Sequence, residues 1–259
     1  MKPAALAVAL AALTPAAARA GEVACWYERG VLVVPASIAG LAGDYILDTG
    51  APVTQLHETK AQAAGLTEPQ QRGVVRIAGV TLPDRAFAVA DLDARTYAFD
   101  TPIAGVIGAD ILSGYIVDIS FAPCRVSLHP ARRAPRFAGR TIVRLQDRGG
   151  PAVARAAVSD GPRALAGPFV ISTGADAAVR IGQDHASVPG AAKTEDLLPG
   201  GERRAGLRAA SFAGQLFENL DGGLAPAAVA DGVIGAPLLA HWRLRFDFPR
   251  GRLLLAPAG

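Results

Sequence analysis

Residues 45–56 read YILDTGAPVTQL, an apolar run that ends on the carboxylate of Asp48 and leaves through a second, mostly apolar stretch. A carboxylate at the end of a buried-looking strand is costly unless it is hydrogen-bonded or put to chemical use. The use that fits is general acid–base work on a water. Two carboxylates sharing one proton can activate water as base and act as acid in turn, because like charges about 3 Å apart resist double ionisation. Two such loops must then meet back to back, and the second has to be found.

Self-comparison of the chain locates it. Residues 43–56, GDYILDTGAPVTQL, align without a gap to residues 167–180, GPFVISTGADAAVR, which sets Asp48 over Ser172. Further on, AGVIGADIL (104–112) is matched by DGVIGAPLL (231–239), and YIVDIS with CRVSL by RFDF with GRLLL. Each half runs in the same order: a strand pair, a strand ending in Asp/Ser-Thr-Gly-Ala, a hairpin around Ala78-Gly79 or Ala213-Gly214, G-V-I-G-A and a closing strand pair. The residue types suit two loops in contact. Gly50 and Gly174 allow close backbone approach, Ala51 and Ala175 avoid collision, and the hydroxyls of Thr49 and Thr173 can hydrogen-bond across the contact. Val106-Ile107-Gly108 supplies an apolar pair and a glycine to pack beneath the loop.

The elements that must position these loops are strands. The 29 glycines and 19 prolines punctuate short Val/Ile/Leu/Phe runs such as GVLVVPASI, AFAVADL, TIVRL and RLLL, an all-β pattern. Helical patterning is confined to residues 55–64 and short pieces near 110–112 and 237–240. The Pro/Arg-rich segment HPARRAPRFAGR reads as a linker. The expected organisation is a leader over 1–20, a first lobe over 21–128, the linker over 129–140 and a second lobe over 141–259.

DTGA after an apolar strand, the later GVIGADIL and the VDI…RVSL ending resemble the retropepsin-like aspartic peptidases, and the duplication resembles a two-lobed, pepsin-like arrangement over roughly residues 30–255. The resemblance implies a two-lobed acid-protease β-barrel fold with an internal pseudo-two-fold. It implies hydrolysis of peptide bonds in an inter-lobe cleft, hairpin flaps over an extended peptide or protein substrate, no cofactor, and one active-site aspartate per lobe. In the first lobe that is Asp48. In the second the position falls on Ser172, with Thr173, Gly174 and Ala175 retained, so the second motif is degenerate. A weak peptidase with Asp48 activating water, and an inactive pseudo-peptidase that binds extended peptides, both follow from this departure. Asp48 of a second molecule could supply the missing acid in a homodimer, but the tethered second lobe has the higher effective concentration, which favours a monomer. Asp176 aligns with Pro52, where its side chain would point away from Ser172. Asp118 and Asp247 read as structural or solvated turn acids, and Asp110 as a residue that caps or orients the short helix after Gly108.

The remaining features restrict the setting. Residues 1–20 combine Lys2, an Ala/Leu run and Ala18-Arg19-Ala20, the pattern of a signal peptide cleaved near Ala20. The expected location is periplasmic or secreted, without stable membrane insertion, since Pro15 and Arg19 interrupt the apolar run. Losing Lys2 and Arg19 takes the 26 basic residues to 24 against 23 acidic, so the formal +3 falls to +1. Arg132-Arg133 and Arg203-Arg204 read as solvated loop charges, which leaves nucleic-acid binding without support. Export and an even count favour a disulfide between Cys25 and Cys124, closing a loop of about 100 residues worth up to about 4.7 kcal/mol in chain entropy. His57, His129, His185 and His241 are too scattered to suggest a metal site.

Overall fold

The computed structural model describes residues 21–146, 150–182, 197–198, 202–225 and 231–258, so the leader reading lies outside the described residues. In the first half the strands are β1 (Glu22–Ala24), β2 (Trp26–Glu28), β3 (Val31–Ile38), β4 (Leu41–Leu47), β5 (Gln55–His57), β6 (Gln70–Ile77), β7 (Val80–Ala90), β8 (Ile103–Ile107), β9 (Ile116–Phe121) and β10 (Cys124–His129). Short helices are α1 (Glu58–Ala63), α2 (Asp93–Thr96) and α3 (Ala109–Leu112). The second half carries β11 (Thr141–Arg144), β12 (Val153–Ser159), β13 (Ala164–Ile171), β14 (Val179–Gly182), β15 (Leu197–Leu198), β16 (Glu202–Phe212), β17 (Gln215–Ala225), β18 (Gly232–Ile234), α4 (Ala236–Leu239), β19 (Trp242–Asp247) and β20 (Arg252–Pro257). The all-β expectation holds, and the three anticipated helical stretches are α1, α3 and α4.

Each half closes into a barrel. The first sheet runs β2-β3-β4-β8-β5-β7-β6 and returns through β6 to β3; the second runs β12-β13-β18-β14-β17-β16-β15 and returns through β16 to β12. Closure removes the exposed edges that short alternating strands would otherwise present. The repeat is reproduced down to strand direction. The strand entering each Thr-Gly-Ala loop is parallel to its G-V-I-G strand, β4 to β8 and β13 to β18, with Leu47 opposite Ile107 and Ile171 opposite Ile234. Buried aromatics fill the interiors, Tyr45 and Phe87 in one lobe and Phe169 and Phe212 in the other. The chain therefore has the two-lobed acid-protease fold with an internal pseudo-two-fold.

A six-stranded sheet, β1-β10-β9-β19-β20-β11, joins the lobes. At its centre Arg245 lies opposite Asp118 and donates to both carboxylate oxygens at 2.6 Å, with Nη1 donating to Pro135 O at 2.7 Å. These residues are 127 apart, the spacing between the two G-V-I-G-A segments, so the pair forms where the repeat meets its own counterpart. The alternation of the strands puts Val117, Ile119, Leu244, Phe246, Leu253 and Leu255 on the buried face. Phe137, between β10 and β11, packs on the outer face beneath Arg245, with the guanidinium 4.9 Å from the ring centre. Cys25 and Cys124 are disulfide-bonded, tying the start of the first barrel to β10.

One expectation needs correction. Arg203 and Arg204 lie on β16, opposite Leu224 and Gly223, and not in a loop, because the long β16–β17 ladder begins with them. Asp118 and Asp247 are strand residues held by arginines, and Asp247 is buried, so of the two alternatives read for them the structural one holds.

Candidate active site

The apolar strands β4 and β13 deliver Asp48 and Ser172 to one point. Ser172 Oγ donates to Asp48 Oδ1 at 2.7 Å, and both residues are buried. The threonines lock the loops reciprocally. Thr49 N donates to Thr173 Oγ1 at 3.2 Å and Thr173 N to Thr49 Oγ1 at 3.3 Å. Each hydroxyl in turn donates across the interface at 2.6 Å, Thr49 to Ile171 O and Thr173 to Leu47 O. Backbone bonds widen the contact, from Leu32 N to Thr173 O and from Ala152 N to Thr49 O. The two hydroxyls thus pair four buried backbone groups, Thr49 N, Thr173 N, Ile171 O and Leu47 O, each of which would cost about 1–3 kcal/mol if left unpaired.

Glycine is required here by proximity, not by backbone sign. A Cβ on Gly50 would lie 2.6 Å from Ser172 Cβ, and one on Gly174 would lie 2.6 Å from Asp48 Cγ. The G-V-I-G-A segments support the loops from below, with Asp48 N donating to Ile107 O and Ser172 N to Ile234 O. Ala51 O and Ala175 O accept from Ala109 N and Ala236 N, which seats the helices that follow.

The lobes diverge around this core. In the first, Asp110 accepts from Thr54 N at 3.0 Å and Thr54 Oγ1 at 2.7 Å, and that hydroxyl accepts from Gly108 N. Asp110 therefore orients the loop before α3 through Thr54 and makes no cap to Gly108. The matching residues of the second lobe, Ala178 and Pro237, cannot make these bonds. Asp176 pairs with Arg180, four residues on, and its backbone lies against Gly30. Among the described residues it makes no hydrogen bond to the Asp48–Ser172 pair, as its alignment with Pro52 suggested.

A residue that sequence reasoning missed completes the site. Arg95 Nη2 forms an ion pair with Asp48 Oδ2 and donates to Gly174 O at 3.3 Å, so it spans both loops. Arg95 is carried by α2, in residues 91–102 between β7 and β8; the matching connection in the second lobe, residues 226–231, is shorter. Leu92 and Phe99 anchor this stretch on a separate apolar cluster formed with Val31, Val33, Ile46, Ile103 and Val106. His57 Nε2 meets Asp93 Oδ1 at 3.1 Å and fixes the start of α2. The one signal in the sequence was the extra length ahead of the first G-V-I-G-A.

All of Asp48's local bonds favour its charged form. Burial, the largest single influence, would push its carboxyl up, but the Arg95 charge and the hydrogen bonds from Ser172, Arg95 and Gly50 N together outweigh it, and the group is held below the ordinary carboxylate range. Oδ1 accepts from Ser172 and Gly50, and Oδ2 from Arg95. The arrangement stabilises one permanent anion; it does not share a proton between two acids. The hairpins expected as flaps form at the anticipated Ala-Gly turns, but Ala78 is 4% exposed and the first turn packs against Gly21. Among the described residues it is Arg95, not that turn, that lies on Asp48.

In comparisons with known proteins, no family profile and no curated protein matches the chain. Among solved structures it is similar to an aspartic proteinase from Irpex lacteus, with a TM-score of 0.56 over 92% of this chain and 97% of that one, at 14% sequence identity. That likeness is one of fold, the acid-protease class that the two barrels and their paired loops define.

Proposed function

We propose that the groove between the lobes takes an extended peptide, with Asp48 at its floor, and that in its resting state the chain holds this peptide without cutting it. The observation that carries the reading is the occupancy of Asp48. Both carboxylate oxygens are engaged by protein donors, Oδ1 by Ser172 and Gly50 N and Oδ2 by Arg95. A base held at low pKa is a poor proton acceptor, and Ser172 offers no second carboxyl as acid. Extended peptide bound by strand pairing needs neither.

A second reading is favoured by a separate observation. The paired Thr-Gly-Ala loops are intact, and Arg95 is 31% exposed on a short helix, so it can withdraw. Asp48 then becomes the base of a weak aspartic-type peptidase, with Ser172 orienting the water. In both readings the chain acts as a monomer, exported after removal of residues 1–20; the Cys25–Cys124 bond fits an oxidising compartment.

The test is to incubate the mature protein with a mixed-sequence, fluorescently labelled extended peptide, following binding by anisotropy and cleavage by mass spectrometry, in parallel with Arg95→Ala and Asp48→Asn. Saturable binding without cleavage in all three proteins is the expected outcome. Cleavage by the parent or by Arg95→Ala that vanishes in Asp48→Asn would establish the second reading instead. Neither binding nor cleavage would overturn both.

A further inference from the structure

The joining sheet has a charge defect on one side only. At the outer edge of the first lobe, Arg125 on β10 lies opposite Ala24 of β1, and Glu22 of the same strand pairs with it at 3.5 Å. The equivalent residue of the second lobe is Arg252 on β20. Its outer neighbour β11 places Arg144 directly opposite, and Ile142 stands where Glu22 would be. Like charges facing each other across a ladder are destabilising.

A third cation joins them. Arg250 reaches Asp247 at 3.3 Å, and Arg252 Nη2 donates to the same oxygen at 2.6 Å. Two guanidiniums therefore share one carboxylate, and a third, Arg144, faces one of them across the ladder, which leaves a local charge of +2. Arg252 Nε is buried without an acceptor, and Arg144 has no bond or ion pair among the described residues. These side chains line a groove of about 550 Å³ with Gln146, Leu145 and Ile142, the last 57% exposed.

We propose that this groove, on the outer face of the joining sheet, binds the phosphate group of a phosphomonoester-type ligand between Arg144, Arg250 and Arg252. A phosphate dianion matches the charge, and its oxygens suit planar, forked donors better than a single carboxylate would. Ile142 gives the carrier of the phosphate an apolar contact. The site involves neither Asp48 nor Arg95 and stands independently of the proposed function.

The test is calorimetric titration of the mature protein with inorganic phosphate at low ionic strength, alongside co-sedimentation with phosphatidylcholine vesicles with and without phosphatidic acid. Saturable phosphate binding is expected. Arg144→Glu, which supplies the missing acid in protein form, should weaken it by about tenfold or more, whereas Arg144→Lys should retain most of it. Arg144 makes no bonds that folding would miss, so neither variant should unfold. Binding to phosphatidic acid vesicles that is also lost in Arg144→Glu would identify a lipid headgroup as the source; phosphate binding without vesicle binding would identify a small phosphomonoester. Absence of saturable binding to both probes, or equal binding by the parent and Arg144→Glu, would overturn the proposal.

Discussion

The Asp48 and Ser172 loops share a backbone path and differ in what each asks of its surroundings. The Ser172 loop is neutral, and a hydroxyl buried with one good acceptor needs nothing more. The Asp48 loop buries a charge, which is tolerable only when paired. The first lobe has met that demand with residues 91–102, which have no counterpart of equal length in the second lobe, and with Arg95 at their centre. A neutral Ser172 and a cationic Arg95 are therefore two halves of one electrostatic arrangement around Asp48. A site with two carboxylates can hold a proton between them; a site with one carboxylate and one guanidinium holds none.

The sharpest way to break the comparison is through what the loops have in common. Thr49→Val and Thr173→Val each remove one hydroxyl and leave two opposing backbone groups unpaired, so each should cost about 2–5 kcal/mol in urea unfolding. The two costs should agree within about 1 kcal/mol, since the bonds are reciprocal. A large cost for one and almost none for the other would mean that the lock is one-sided.

Arg95→Ala tests the difference. It strands a buried carboxylate and should cost about 1–3 kcal/mol at pH 7, less than a fully buried pair because Arg95 is partly exposed. Its pH dependence carries a sign. In the parent the folded pKa of Asp48 is depressed, so its contribution is present above the unfolded value of about 4 and is lost as pH falls through the folded value. Without Arg95, burial dominates and the folded pKa rises, so the deficit of the variant should shrink on acidification. Unfolding free energies from pH 3 to 8 that run parallel for the two proteins would remove Arg95 from the account.

Much of this was legible in the sequence. The Asp48 and Ser172 loops, the threonine and glycine roles and the G-V-I-G-A supports all follow from one alignment of the chain with itself, because a duplicated fold must repeat the residues that make its symmetric contact, while the cysteine pair follows from its even count and the leader pattern. Arg95 was not legible, because it belongs to the part that does not repeat. Its position depends on how Leu92 and Phe99 seat a short helix, and no local pattern announces a tertiary anchor of that kind. The arginine partners of Asp118 and Asp247 were hidden for a related reason: strand register decides them, and register emerges only when the sheet is assembled.

The smallest expected effects come from Ser172 itself. Ser172→Ala should cost about 1 kcal/mol, the worth of one hydrogen bond to a charged group offset by a small apolar gain. Ser172→Asp changes chemistry more than stability. It sets a second carboxyl within reach of Asp48, so one of the pair should keep its proton to a higher pH, and cleavage of unfolded substrate should appear between about pH 3 and 7. The gain should be greater when Arg95→Ala is added and should vanish with Asp48→Ala. A folded Ser172→Asp, Arg95→Ala protein that cleaves no better than the parent would show that the groove itself, and not the missing charge, has left peptidase chemistry behind.

The Asp118–Arg245 pair bears on how this chain can assemble. Because the two residues occupy corresponding positions of the repeat, two first lobes brought together across molecules would set Asp118 against Asp118, and two second lobes would set arginine against arginine. Only unlike halves satisfy both charges. This charge pattern favours the joining of unlike halves within one chain over the joining of like halves between two copies.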